Sequence, residues 1–254
     1  MGRFSEDLDI RIEGPGLPRV RSWTSEGARA TEERETFFRA LAPRLSVQGA
    51  EVEELAELRD RSWRSAIFAV RYESRASGGL PAGIRPFVQL EAGSARVAPA
   101  EDRAISSWVH DYVIQESKAV AAGLADNRPA AVSCLRPEVT LLEKIEAIAR
   151  RYARDPFEPA SFVRHYEDVA RILAGDATAP PAELRELLED MKESRDIRAW
   201  PGHDDPCWSP QTDTDRWTRL EEAWVAAGPL FWGERIPLVN CAREIRRLLR
   251  ILAR

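Results

Sequence analysis

Met1-Gly-Arg-Phe-Ser-Glu-Asp-Leu-Asp-Ile-Arg-Ile12 decides how the rest of the chain is read. Leu8, Ile10 and Ile12 alternate with Asp7, Asp9 and Arg11, the period-two pattern of a half-buried strand. On such a strand Asp7 and Asp9 point to one face, roughly 6–7 Å apart at about 3.3 Å per residue. An apolar opposite face would fix both carboxylates, and the pair could then grip one or two divalent cations. Hard cations such as Mg²⁺ favour carboxylate oxygens and usually arrive carrying phosphates. Chance competes with this reading, because fifteen Asp in 254 residues give roughly one Asp-x-Asp by composition alone. A second does occur, Asp213-Thr-Asp215, in a polar stretch without a strand pattern. The pair therefore acquires meaning only from residues elsewhere.

A chain of 254 residues can bury a sizeable core in one large or two small domains. Charged residues make up 31% and mean hydropathy is −0.40, which describes a well-solvated surface. No apolar run approaches the roughly 18–20 residues of a membrane span, and no signal-peptide pattern follows Met1. Cys134, Cys207 and Cys241 are odd in number and widely spaced, so a reducing cytoplasm is expected rather than a disulfide framework. A net charge of −5 argues against wholesale coating by nucleic acid but leaves room for a local basic groove.

Beyond a turn-rich break at Glu13–Pro18, Thr31–Leu41 predicts a helix with acidic residues in its first turn and Phe37, Phe38 and Leu41 on one side. Ser46–Arg64 is ambiguous, with Val52, Leu55 and Leu58 fitting a helix loosely. Ala66–Tyr72 and Arg85–Ala92 predict two strands joined by Ala-Ser-Gly-Gly-Leu-Pro-Ala-Gly83, a hairpin-type connection. In the second strand Phe87, Gln89 and Glu91 share a face. Glu91 is then either a site carboxylate beside Asp7–Ile12 or a rim glutamate on a solvated sheet.

From about residue 100 the pattern turns helical. Leu141, Ile145, Ile148 and Tyr152 form one stripe, and Phe162, Tyr166, Val169 and Leu173 another. Thr140 and Glu143 have capping-box spacing, which puts Lys144 near a helix start, where it either meets a phosphate or faces solvent. Arg164, Asp168 and Arg171 read as a surface ladder of ion pairs. Pro181–Arg195, Trp217–Ala227 and Cys241–Arg254 read as further helices, and Trp200–Pro210 as a loop in which His203 and Cys207 fall short of the four ligands of a structural zinc site. The arginines of the last helix form either a phosphate-facing edge or a solvated helix end.

Four signals occur in a meaningful order: Arg-Phe-Ser-Glu-Asp-Leu-Asp at 3–9, Phe-Val-Gln-Leu-Glu at 87–91, Leu-Arg-Pro-Glu-Val-Thr-Leu-Leu-Glu-Lys at 135–144, and Arg-His-Tyr-Glu-Asp at 164–168. Together they resemble the nucleotidyltransferase toxins of the AbiEii/AbiGii type, from type IV toxin–antitoxin pairs, over residues 3 to about 174. The resemblance implies an α+β protein: a polymerase-β-like nucleotidyltransferase core over 1–128, then a helical domain over 129–254. It implies Asp7, Asp9 and Glu91 as ligands of Mg²⁺ or Mn²⁺. Lys144, helped by Arg164, would contact the phosphates of an NTP, and Asp168 would be the acidic residue of the last motif. The implied reaction moves a nucleotide from NTP to an RNA (tRNA) or protein acceptor, with a cognate antitoxin as partner and no membrane.

Two departures accompany the resemblance. A position that is often basic in related transferases is Gln89 here, two before Glu91. The Gly-Gly-Thr/Ser or Gly-Ser loop expected shortly before Asp-x-Asp does not precede Asp7, so the chain as written is expected to bind NTP poorly. The rival expectation is a catalytically inactive relic that keeps the fold as an interaction module; a metal-dependent phosphohydrolase is a more distant one.

Overall fold

In the computed structural model, residues 7–73, 85–93, 96–123, 131–175, 179–231 and 233–253 are described. The chain divides into two units, one of residues 2–96 with 229–232 and one of 97–228 with 233–254. The sequence reading drew its line at 128/129. The division by contacts falls earlier because residues 100–103 pair with a strand of the helical unit.

The first unit is built on a four-stranded sheet with one helix. Its elements are β1 (Asp7–Ile10), α1 (Ala28–Leu41), β2 (Ala50–Glu54), β3 (Ser65–Tyr72) and β4 (Val88–Gly93), and the strand order is β1-β4-β3-β2. β1 runs parallel to β4, while β3 is antiparallel to both β4 and β2. Both strands expected from β-formers are present, and the connection between them falls outside the described residues. Pairing puts Ala92 opposite Ala66 and Leu90 opposite Phe68, and this face packs on Phe37, Phe38 and Leu41 of α1. Phe38, Ala66 and Phe68 are 1% exposed or less. The period-two alternation thus does what it should on one side: apolar groups go under α1 and polar groups to the other face.

Three expectations change here. α1 starts at Ala28, one turn early, so its first turn holds no acid. Residues 50–54 form β2, since Val52 packs in the core beside Val70 while Glu51 and Glu53 face away; a loose helical spacing lost to strand pairing. Leu8 stays 55% exposed on the edge strand, so Ile10 and Ile12 carry the packing of the first stretch. Arg34, fully buried, donates to the carbonyls of Ser22, Trp23, Ser25 and Ser62 and so ties the loop before α1 to the turn before β3.

Gly93 ends β4 where backbones approach closely. A Cβ there would lie 2.7 Å from both the Arg64 carbonyl and Ser65 Cβ. Gly93→Ala is therefore expected to cost about 1–3 kcal/mol through forced strand separation, read by chemical denaturation at unchanged m.

The second unit is mainly helical. It comprises β5 (Ala100–Arg103), α2 (Trp108–Glu116), α3 (Lys118–Ala122), β6 (Val132–Leu135), α4 (Pro137–Tyr152), α5 (Arg164–Leu173), α6 (Pro181–Glu193), α7 (Thr214–Ala226) and α8 (Leu238–Leu252). The antiparallel β5–β6 pair was not expected, because four-residue strands such as Ala-Glu-Asp-Arg carry no alternation to detect. Both helical stripes are buried as read, with Leu141, Ile145, Ile148, Phe162, Tyr166 and Val169 all at 0% exposure. The loop at 200–210 is fastened by aromatic donors: Tyr166 Oη to the Cys207 carbonyl at 2.8 Å, Trp208 Nε1 to Gly202, and Trp217 Nε1 to Pro206.

Two local expectations fail in this unit. α4 begins at Pro137, whose ring suits the first helical position, so Thr140 lies inside the helix and caps nothing. Lys144 is then in the third turn rather than at the start, and the field of the helix end no longer bears on it. The expected surface ladder on α5 is largely interior. Asp168 is 1% exposed, and Arg171 pairs with Glu167, itself fully buried and also held by Arg235.

Candidate functional site

The carboxylate face of the first sheet follows directly from strand register. Asp7 lies opposite Gln89 and Asp9 opposite Glu91 in the parallel β1–β4 pair. In-register residues of neighbouring strands share a face, so Asp7, Asp9 and Glu91 gather on the side away from α1. Backbones of paired strands are about 4.8 Å apart, which brings Asp9 and Glu91 close enough to share one cation.

Their electrostatics agree. Partial burial raises the Glu91 carboxyl above its ordinary value, and Asp9 and then Asp7 raise it further, while a hydrogen bond from Ser65 pulls it back. Ser65 stands on β3 opposite Gly93, so the close approach at that glycine also sets the Ser65–Glu91 contact. Gln89, where a basic residue was expected, is 7% exposed, and the guanidinium of Arg85 donates to its side-chain oxygen. A cation thus stands beside that position without occupying it.

Ionising Glu91 costs stability in the absence of metal. Its folded pKa lies above its unfolded one, so the folded state holds the proton more tightly and stability falls as pH rises through that window. Glu91→Gln is therefore expected to raise the metal-free melting temperature at neutral pH, with the gain vanishing below about pH 4, where Glu91 is protonated in both states. Thermal melts of both proteins across pH, in chelator, check this.

Among the described residues no three His, Cys, Asp or Glu side chains stand as a preformed metal cage. The donor set nonetheless fits a hard cation. It is all oxygen, and Mg²⁺ is usually held by one or two carboxylates while phosphates and water complete its shell.

The other two motif residues meet in the helical unit. Lys144 of α4 donates to Asp168 Oδ2 at 2.8 Å and lies 3.3 Å from His165 Nδ1. An ammonium can only donate, so a hydrogen bond across this contact requires Nδ1 to accept, with the ring proton on Nε2. Burial lowers the His165 pKa to about 4, with Lys144 and Arg151 adding to the effect and Asp168 opposing it. The ring is neutral at physiological pH. Arg164 opens α5 one residue before His165. The structure therefore brings Asp7, Asp9 and Glu91 together in one unit, and Lys144 and Asp168 together in the other.

Sequence reasoning missed Ser65, Arg85 and the part played by His165. None had a local signal, since each is defined by partners on other elements or four residues away. Among the described residues no helix is long and apolar enough to cross a membrane. No curated protein sequence matches the chain. The family model described as nucleotidyl transferase AbiEii toxin, type IV TA system, matches residues 1–228, and so extends well past the last of the four motifs. The mixed α+β fold is consistent with that match, which covers most of the chain, and the chain belongs to the AbiEii nucleotidyl transferase toxin family.

Proposed function

We propose that this protein is a metal-dependent nucleotidyltransferase that moves a nucleotide from NTP to an RNA or protein acceptor, and that it acts as the toxin of a pair whose cognate antitoxin restrains it. The observation that carries the reading is the parallel register of β1 and β4, which sets Asp9 opposite Glu91 with Asp7 two residues along the same face.

Asp7, Asp9 and Glu91 would hold Mg²⁺ or Mn²⁺ together with the nucleotide's phosphates. When bound, the metal would neutralise charge on the phosphoryl oxygens and lower the pKa of the attacking hydroxyl. The protein's own contribution is positional. The α1-packed core fixes both strands, and the Ser65 hydroxyl on β3 donates a hydrogen bond that restrains the Glu91 carboxylate. Asp9, exposed on the edge strand, would orient the acceptor hydroxyl, and a carboxylate of this trio would accept its proton.

Lys144 would meet phosphate oxygens as a point charge on the pyrophosphate side of the reaction. Asp168 holds that ammonium in place, and the neutral His165 leaves it a lone pair to donate to without adding a competing cation. The test is incubation with each α-labelled NTP, Mg²⁺ or Mn²⁺ and total RNA. Label should pass to an acceptor in wild type and be lost in chelator and in Asp9→Asn. Equal labelling by Asp9→Asn would sink the assignment.

A further inference from the structure

The carboxylate face and the Lys144 cluster leave unused a group of arginines at the end of α4 in the helical unit. A cavity of about 270 Å³ lies between the C-terminal turn of α4 and the loop that follows it, lined by Arg150, Arg151, Arg154, Pro156, Glu158 and Ser161. Arginines near a helix C-terminus have an ordinary explanation, since they complement its dipole. That explanation covers Arg150, which also pairs with Glu146 at 3.0 Å. It applies to Arg151 in the same turn without accounting for the burial of that guanidinium, and it does not cover Arg154. Arg151 is partly buried and donates to the Ser161 carbonyl, and Arg154 lies beyond the helix; among the described residues no carboxylate comes within ion-pair distance of either.

The cluster is electrostatically uncomfortable as it stands. Burial disfavours the charge on Arg151, and Arg150, Arg154 and Arg164 repel it, against relief from Glu146 alone. With Glu158 the only acid in the lining, three guanidinium groups leave a net charge of two positive in a chain whose total is −5. An unrelieved concentration of forked donors is what a phosphate relieves, because two N–H groups of an arginine match two phosphate oxygens. The lining argues against a protein partner, since binding hot spots need apolar or aromatic anchors and Pro156 is the only apolar residue here. Arg151 lies seven residues beyond Lys144 on α4, about 10 Å along the axis, and His165 feels the charge of both.

We propose that the Arg150–Arg151–Arg154 cavity binds the phosphodiester backbone of a single-stranded nucleic acid and so is where an RNA acceptor is held. The proposal narrows the acceptor left open by the transferase reading and rests on that reading for its role, though not for the binding itself. Arg151 and Arg154 would each take a phosphate, with Arg150 and Arg164 contributing field rather than forks. Affinity would be sequence-tolerant and strongly dependent on salt.

The probe is a fluorescein-labelled 20-nucleotide RNA of mixed sequence, titrated with the full chain at several salt concentrations. Each single-strand phosphate contact contributes about 0.7 to the slope of log affinity against log salt. Arg151→Gln/Arg154→Gln should therefore flatten the slope by about 1.4, so wild type loses about sevenfold more affinity than the variant between 50 and 200 mM salt. Arg154→Gln alone, which removes no side-chain bond of the fold, should flatten it by about 0.7 and decides the matter if the double variant melts early. Arg243→Gln/Arg247→Gln, on the exposed side of α8, should change nothing. An unchanged slope in Arg154→Gln, an equal loss in the α8 variant, or a loss of ATP affinity with RNA binding intact would each overturn the proposal. Asp7→Asn/Asp9→Asn should bind RNA normally. If that variant also kept full transfer, the carboxylate reading would fail while the RNA cavity stood.

Discussion

Asp7→Ala/Asp9→Ala is expected to lose both metal binding and transfer while keeping its fold. The carboxylates sit on the polar face of an edge strand, and Asp9 is exposed, so neither contributes to the core under α1. Their removal also relieves the repulsion that raises Glu91, and the metal-free protein should melt no lower than wild type. The catalytic loss should be large because a bound cation supplies several kcal/mol of charge stabilisation in the transition state. At about 1.36 kcal/mol per decade that is on the order of 10³-fold or more in rate. Isothermal titration with Mn²⁺ and the labelled-NTP assay read the two losses separately. Unchanged Mn²⁺ affinity would place the metal elsewhere, whatever the rate does. A loss of rate with a matching loss of melting temperature would mean that the strand, not the site, had been damaged.

The first strand was legible because its pattern carries two messages at once, Ile10 and Ile12 for the core and Asp7 and Asp9 for the opposite face. The partner strand was legible for the same reason, while the parallel register that unites Asp9 with Glu91 shows only in the folded sheet, where β1 takes the edge beside β4. The helical stripes around Ile145 and Tyr166 were equally plain, since a period of 3.6 sustained over ten residues or more has few competitors. What stayed hidden is pairwise and distant. Lys144 read as a capping-box neighbour that meets a phosphate or faces solvent, because nothing in Leu-Leu-Glu-Lys announces an aspartate 24 residues on. Asp168 looked like a rung of a surface ladder, because helical spacing alone does not say which polar side faces inward when that side is paired. Ser65 and Arg85 owe their place to the approach at Gly93 and to the buried amide of Gln89, which only the folded sheet defines.

Lys144→Met is the substitution expected to be most damaging to stability, and its logic separates structure from chemistry. Asp168 is 1% exposed on α5 and accepts from the Lys144 ammonium at 2.8 Å. Removing the lysine takes that charge away from a buried carboxylate, and breaking such a pair typically costs about 3–5 kcal/mol. Replacing both members with apolar residues of similar size often restores much of the loss, because the desolvation cost of two ions disappears together with their attraction. Lys144→Met/Asp168→Leu should therefore melt well above Lys144→Met, with a coupling of about 0.5–3 kcal/mol in a double-mutant cycle. Transfer should not recover with it. If the pair exists to present an ammonium to phosphate, the refolded double variant has lost the charge and stays inactive; if the pair is only a brace between α4 and α5, activity returns with stability. Urea denaturation supplies the first half of that comparison and the labelled-NTP assay the second. A stable and active double variant would reduce Lys144 to a structural residue.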